Sequence, residues 1–249
     1  KSTLPKVLHP VAGLPLVAHA LRAVQGVGPT STVVVTSPEH RESVKLALMD
    51  DVECVDQHEP LGTGHALATA LMTIAPSSRQ VIVMNGDVPL VRSATVGLLA
   101  ELHERRGATL TLLTCFVPPD FLPQAGRLQR GARGKPIGVV ESGDVSSSMR
   151  DGREGVEINV GVYAFEVSWL RRALSAIRPR VNGEYYLTDL ISMAIADGRR
   201  VEAYAYHDSD EALSVNNRRD LARAEVAMQR RLRDAAMDMG ATLEDPSTT

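Results

Sequence analysis

A chain of 249 residues has room for one large domain or two small ones around a substantial core. With 44% hydrophobic residues, 23% charged residues and a formal net charge of −3, it lacks the bulk positive field of a nucleic-acid binder, leaving at most a local basic pocket for phosphates. The two cysteines, Cys54 and Cys115, form neither a disulfide framework nor a metal-ligand pattern, and no apolar run reaches the ~20 residues of a membrane span, so the expected setting is cytoplasmic, with neither nucleic acid nor membrane as partner.

Leu14, Val17, Leu21 and Val24 recur at helical spacing before Gly26, which predicts a helix over 14–25. "STVVVTS" (31–37) is short and β-branched, the signature of a strand buried on both faces. A helix ("PEHRESVKLALMDD"), a short strand ("DVECVD") and a helix opening on glycines ("GTGHALATALMTIA") follow. Next come a second buried strand ("RQVIVMNGD"), a helix ("SATVGLLAELHERRG") and a strand ("ATLTLLTCFV"). Strands alternating with helices of this length predict an α/β fold, a doubly wound, mostly parallel sheet with helices on both faces and ligands beyond the carboxyl ends of its strands.

The character changes near residue 118. "VPPDFLPQAGRLQRGARGKPIG" is rich in Pro, Gly and Arg and suits a lobe or hairpin over the ligand edge. "IGVVES", "VEINVGVYAFEV" and "RVEAYAYH" are strand-like, while "SWLRRALSAI" and "EYYLTDLISMAIADG" are helix-like. Leu221, Met228, Leu232, Ala235 and Met239 mark one face of a long helix over 216–239. The organisation expected is an α/β half over 1–117, a small β-rich part over 118–215, the long helix, and a linker over 240–249.

Three stretches carry chemistry. In "VIVMNGDVPL" a strand ends in Asn-Gly-Asp, placing the Asp87 carboxylate where it could hold Mg²⁺ beside substrate phosphates, or serve as a turn or capping aspartate. In "DQHEPLGTGHALATAL", Gly62, Thr63 and Gly64 open a helix whose free amides could face a polar ligand, with a glycine turn capped by Thr63 as the alternative. The clusters around Glu157 and Asn159, and around Glu184, Tyr186, Thr188 and Asp189, mix apolar anchors with paired donors and acceptors of the kind sugar hydroxyls require. Asn216, ahead of the long helix, reads by default as its N-cap, and His9, His19 and His65 as structural or supporting groups.

"LPKVLHPVAGLPL", "Q…PLGTGHA", "NGDVPL", "GR…GVVE", "EINVGVYAF", "NGEYYLTDLI" and "VNNR" occur in the order and approximate spacing of one family. The chain resembles the uridyltransferase domain of bacterial bifunctional N-acetylglucosamine-1-phosphate uridyltransferase / glucosamine-1-phosphate acetyltransferase. The resemblance implies a nucleotide-diphospho-sugar transferase fold making UDP-N-acetylglucosamine from UTP and a hexosamine 1-phosphate with Mg²⁺, for cell-wall precursor synthesis. Alternatives are the same reaction with another sugar 1-phosphate or with dTTP, or a non-catalytic nucleotide-sugar-binding module. Carried over by position, Lys6 would hold the nucleotide phosphates and act in catalysis with Asp87. Gln57, Gly62 and Thr63 would read uracil. Asp87 and Asn216 would bind Mg²⁺, and Gly126, Glu141, Asn159, Tyr186 and Thr188 the sugar.

The same resemblance places a glycine-rich "LAAGxGTRM" loop, and the central strand of the sheet, ahead of Lys1. It makes "MGATLEDPSTT" the lead-in to a left-handed β-helix acetyltransferase domain, the expected source of a homotrimer. This chain departs from the family in three places. Gln124-Ala125-Gly126-Arg127 stands for the usual Gly-Tyr-Gly-Arg, "SGDVSSSMR" follows Glu141, and Asn85 replaces a common tyrosine.

Overall fold

The computed structural model describes residues 4–48, 52–118, 120–121, 124–131, 134–141 and 155–246. Its organising strand is β9 (Val156–Glu166), longer than its neighbours and bonded along both edges. One edge takes β6 (Leu110–Val117), beyond which lies β10 (Val201–Tyr206). The other takes β5 (Gln80–Met84) and, further along at Ile158, β7 (Arg127–Arg130), which pairs in turn with β8 (Pro136–Val140). β10 runs parallel to β6, but β9 is antiparallel to β5, β6 and β7. The sheet is therefore mixed where the βαβ rhythm predicts a mostly parallel one. Among the described residues the chain between β6 and β9 carries β7 and β8 and no crossover helix, and only a crossover would oblige β9 to run parallel.

Side chains alternate along these strands and feed two cores. Leu110, Leu112, Tyr163 and Phe165 point to one, where they meet Leu67 and Leu71 of α3 (Thr63–Leu71), Trp169 and Leu170 of α5 (Val167–Ala176) and Leu190 and Ile191 of α6 (Asp189–Ala196). Leu113, Cys115, Val160 and Val162 point to the other. There they pack with Leu16 of α1 (Leu16–Gln25), Val96 and Leu99 of α4 (Ser93–Arg106), and Ala224 and Met228 of α7 (Arg218–Asp238). Helices thus cover both faces, as expected, and each fully buried Leu or Ile contributes about 1.5–3 kcal/mol by leaving water. Both cysteines are buried; burial pushes the Cys115 thiol up to about 11 and raises Cys54 as well, so neither is a ready nucleophile.

β3 (Val33–Thr36) and β4 (Glu53–Asp56) form a separate parallel pair, flanked by α2 (Arg41–Leu48). Between β3 and β5 lies a cleft of about 650 Å³, lined on its two sides by Val33–Val35 and Val81–Val83 and at one end by Gln57, Thr63, Asn85 and Gly86. Among the described residues β3 bonds only to β4 and β5 only to β9, so each presents a free edge to the cleft. This corrects the expectation that both strands are buried on two faces. The valines of β3 and all five residues of β5 are only half-buried, because no strand stands between them.

A short antiparallel hairpin, β1 (Pro10–Val11) and β2 (Leu14–Pro15), follows the 3₁₀ turn Lys6–Leu8. Its tip holds Ala12 at φ +47°, a left-handed conformation costly for alanine, and the Ala12 N–H donates to the Glu225 carboxylate of α7 at 2.7 Å. Among the described residues no helix is long and apolar enough to cross a membrane.

Candidate active site

Three corners carry the residues singled out in the sequence, and the cleft lining meets two of them, through Asn85 and Gly86 at the first and through Gln57 and Thr63 at the second. The first is built where β5 stops. Past Met84, the Asn85 N–H donates to the Gly161 carbonyl at 3.0 Å and the Asp87 carbonyl accepts from the Val215 N–H at 2.9 Å, so the turn is held from β9 and from the approach to α7. The Lys6 ammonium donates to Asp87 Oδ2 at 2.6 Å and to Asn216 Oδ1 at 2.9 Å, joining residues 210 positions apart. Asn216 is available for this because it is not the cap of α7, contrary to its default reading. Asn217 is the cap, accepting from the Arg219 and Asp220 amides, while the buried Asp220 carboxylate accepts back from the amides of Asn216 and Asn217.

The second oxygen of Asp87, Oδ1, is buried and has no hydrogen-bond partner. A carboxylate oxygen left bare inside a polar corner is costly, and a cation beside it would satisfy it. The described residues hold no cluster of three His, Cys, Asp or Glu side chains. A carboxylate plus an amide oxygen is a sparse donor set, and it fits Mg²⁺, which keeps most of its coordination for water and phosphate.

The second corner joins the end of β4 to α3. The Gln57 N–H donates to the Thr36 carbonyl at 2.7 Å, and its side-chain Nε2 lies 3.1 Å from the Gly62 carbonyl and 3.0 Å from His65 Nδ1. Gly62, not Thr63, is the N-cap of α3; it sits at φ +94°, and a Cβ there would come within 2.7 Å of the Tyr185 carbonyl oxygen. The Gly64 N–H is committed to that same carbonyl at 2.7 Å, so it is not among the amides open to a ligand. The Tyr185 N–H donates to the Leu61 carbonyl, and the Leu187 N–H to Thr63 Oγ1, stitching the 185–187 segment along the glycine turn. Gly62→Ala is therefore expected to lower stability by about 1–3 kcal/mol. Chemical denaturation checks this, and an alanine variant as stable as wild type would show the turn to be looser than its contacts imply.

The third corner faces the small lobe. Thr188 Oγ1 donates to Glu141 Oε1 at 2.7 Å, and a Cβ added at Gly126 would approach Glu141 Oε2 to 3.3 Å. The Gly126 carbonyl accepts from the Asn159 N–H at 2.8 Å. Here the β6–β9 register slips between Leu112 and Thr114, leaving residues 160–162 of β9 to bulge, a device that re-aims side chains beside a site. Asn159 Nδ2 donates to the Tyr163 hydroxyl at 2.6 Å and its Oδ1 accepts from the Gly161 N–H at 3.3 Å; Tyr163 is buried, which raises its phenol pKa and keeps it protonated.

Hydrogen bonds thus join Gln57 to Gly62, the Thr63 hydroxyl to the amide next to Thr188, Thr188 to Glu141, Gly126 to Asn159, and Lys6 to both Asp87 and Asn216. Tyr186 is not drawn in by these bonds. Its ring lies 4.3 Å from the Arg180 guanidinium, and its hydroxyl accepts from Asn182 within the same loop. Glu157 is structural, since it accepts a forked pair of bonds from Arg130 and a third from Thr114, and is 8% exposed. Tyr163 and the His65–Gln57 contact carry no sequence signal, because tyrosine in a strand and histidine in a helix are most often packing residues. The departure "SGDVSSSMR" lies outside the described residues.

Residues 2–119 match the family described as the MobA-like NTP transferase domain. The whole chain aligns with proteins called Bifunctional protein GlmU: 40% identical over 250 residues in Streptococcus mutans, covering 100% of this chain and 53% of that protein. The Heliobacterium modesticaldum protein is 40% identical over 247 residues, covering 99% and 53%, and the Corynebacterium efficiens protein 38% over 257, covering 100% and 52%. The chain spans about half the length of the curated relatives it matches, and resembles them throughout that half. Among solved structures, CMP:2-keto-3-deoxy-manno-octonic acid synthetase complexed with CTP superposes with a TM-score of 0.68 at 16% identity, over 93% of this chain and 95% of that one. The fold is that of an α/β nucleotidyltransferase.

Proposed function

We propose that this chain transfers a uridylyl group from UTP to N-acetylglucosamine 1-phosphate, releasing pyrophosphate and forming UDP-N-acetylglucosamine. The observation that carries the reading is the Lys6–Asp87–Asn216 corner past the end of β5, with its bare Asp87 oxygen. A sugar-phosphate oxygen attacks the α-phosphorus in line, a new P–O bond forms, and the bond to the β-phosphate oxygen breaks. The attacking phosphate is already ionised at neutral pH, so the protein's part is to position and to neutralise charge.

Asp87 and Asn216 would hold Mg²⁺, which would supply positive charge against the phosphates. Lys6, within reach of both ligands, adds a second positive charge at the phosphates. Gln57 offers a carbonyl to the base, which suits the imide N–H that uracil and thymine share, so dTTP is the nearest competing substrate. Asn159 and Glu141 offer amide and carboxylate groups to the sugar. The reading includes a strand and glycine-rich loop ahead of Lys1, which the cleft between β3 and β5 supports, a cytoplasmic role in cell-wall precursor synthesis, and a trimer formed through a β-helix domain.

Steady-state kinetics on the full-length protein test this. UTP is expected to exceed CTP in kcat/KM by at least about a hundredfold, since a site built to bond one base edge leaves groups unpaired with the other. N-acetylglucosamine 1-phosphate is expected to exceed glucose 1-phosphate by a smaller margin, which Ala125→Tyr widens by refilling the space the missing tyrosine leaves. Near-equal use of UTP and CTP would overturn the uracil assignment, and a preference for glucose 1-phosphate the sugar.

A further inference from the structure

Gln57 and His65 stand eight residues apart, one at the end of β4 and one in the first turn of α3, and meet through Gln57 Nε2 and His65 Nδ1 at 3.0 Å. The same nitrogen lies 3.1 Å from the Gly62 carbonyl, which can only accept. That contact fixes which end of the amide is nitrogen. Its two hydrogens then go to Gly62 and to His65, so His65 must present a bare Nδ1 and carry its proton on Nε2. Both donors of the amide are committed, and among the described residues no group donates to Gln57 Oε1. That oxygen belongs to a residue lining the cleft beside Thr63.

We propose that His65 is a specificity-determining positioning residue: its Nδ1 lone pair locks the Gln57 amide with the carbonyl toward the base, so that the site demands a base with a ring N–H. Uracil carries a hydrogen at N3; cytosine carries a lone pair there, which would face the Gln57 oxygen lone pair to lone pair. With a nonpolar residue at 65, one amide hydrogen loses its partner and the amide is held by Gly62 alone. It can then turn its nitrogen partly toward the ligand and accommodate cytosine. His65 itself need not touch the nucleotide. Its ring rests against Tyr185, with centroids 6.4 Å apart, which keeps Nδ1 aimed at Gln57.

This inference rests on the uracil reading above, and the test separates the two. Dissociation constants of UTP and CTP are measured by calorimetry on full-length wild type, His65→Leu and His65→Asn, together with kcat and KM for both nucleotides. His65→Leu is expected to cut the UTP-over-CTP preference by about tenfold, the scale of one lost hydrogen bond at a polar site. The change should fall in KM and binding, with kcat for UTP near wild type. His65→Asn, whose side-chain oxygen can accept from Gln57, is expected to restore most of the preference. A folded His65→Leu protein with the wild-type ratio would overturn the role of His65 and leave the uracil reading standing. A wild type that prefers CTP would overturn both. If the leucine variant does not fold, His65→Ala, too short to reach Gln57, carries the same expectation and the same refutation.

Discussion

Asp87→Ala in the full-length protein is expected to lower UDP-sugar formation in Mg²⁺ by at least about a hundredfold, with little change in melting temperature. A divalent cation at a phosphoryl centre is worth several kcal/mol of transition-state stabilisation, and each ~1.4 kcal/mol is tenfold in rate. Removing the carboxylate removes the only anionic ligand this corner offers among its described contacts. The fold has less at stake. The turn is held by backbone bonds to Gly161 and Val215, which alanine keeps, and the lost ion pair is with Lys6, whose side chain is 45% exposed, so it stabilises the fold weakly. The buried, unpartnered oxygen disappears with the side chain, which offsets part of that loss. Mn²⁺ titration provides the companion measurement: the variant should bind the ion at least tenfold more weakly, on the same logic of one charge removed. A variant that kept more than a tenth of wild-type turnover would show that Asp87 is a turn residue after all.

The second large effect concerns stability. On the proposed reading a strand ahead of Lys1 would fill the cleft between β3 and β5, and a segment seated there is expected to raise the unfolding free energy by about 5 kcal/mol or more. Three inward side chains contribute about 1.5–3 kcal/mol each, and ladder bonds to two strand edges add about 0.5–1.5 kcal/mol apiece. Domains of this size are stable by only about 5–15 kcal/mol, so the segment decides whether the sheet persists. Urea unfolding of the full-length protein against the chain beginning at Lys1 makes the comparison, with hydrogen exchange at Val33–Val35 and Val81–Val83 reporting whether the cleft is where the protection appears. Equal midpoints and unprotected valines would mean that the cleft is native and filled by ligand alone.

Much of this architecture is legible in the chain because helices advertise themselves locally. The spacing of Val17, Leu21 and Val24 and the stop at Gly26 delimit α1, and the apolar face through Leu221 and Met228 marks α7. Direction is not local: nothing in "VEINVGVYAF" says that β9 runs against β5 and β6, because that follows from the route of the lobe between them. The composition of β3 and β5 reports the environment those strands are built for, which is why valine-rich sequences lie half-exposed along the cleft. The cap of α7 falls one residue later than the sequence suggests, for a similar reason. Asn216 and Asn217 are chemically identical, and only the bonds to Asp220 decide which one caps and which one faces Lys6.

The cation corner joins Lys6 to Asn216, and the nearby hairpin tip joins Ala12 to Glu225, 213 residues later. During synthesis the lysine leaves the ribosome 210 residues ahead of the asparagine. At about 5–20 residues per second, the interval between Ala12 and Glu225 is roughly 10–40 s. Through that interval β5 and its aspartate exist without the far wall of their corner, and the strained turn at Ala12 lacks its acceptor. The Lys6–Asp87–Asn216 corner and the Ala12 turn are thus completed only once the chain through Asn216 and Glu225 of α7 is in place. Because Ala224 and Met228 of α7 also belong to the core they share with α1 and α4, a nascent chain short of α7 lacks that corner and part of one core together.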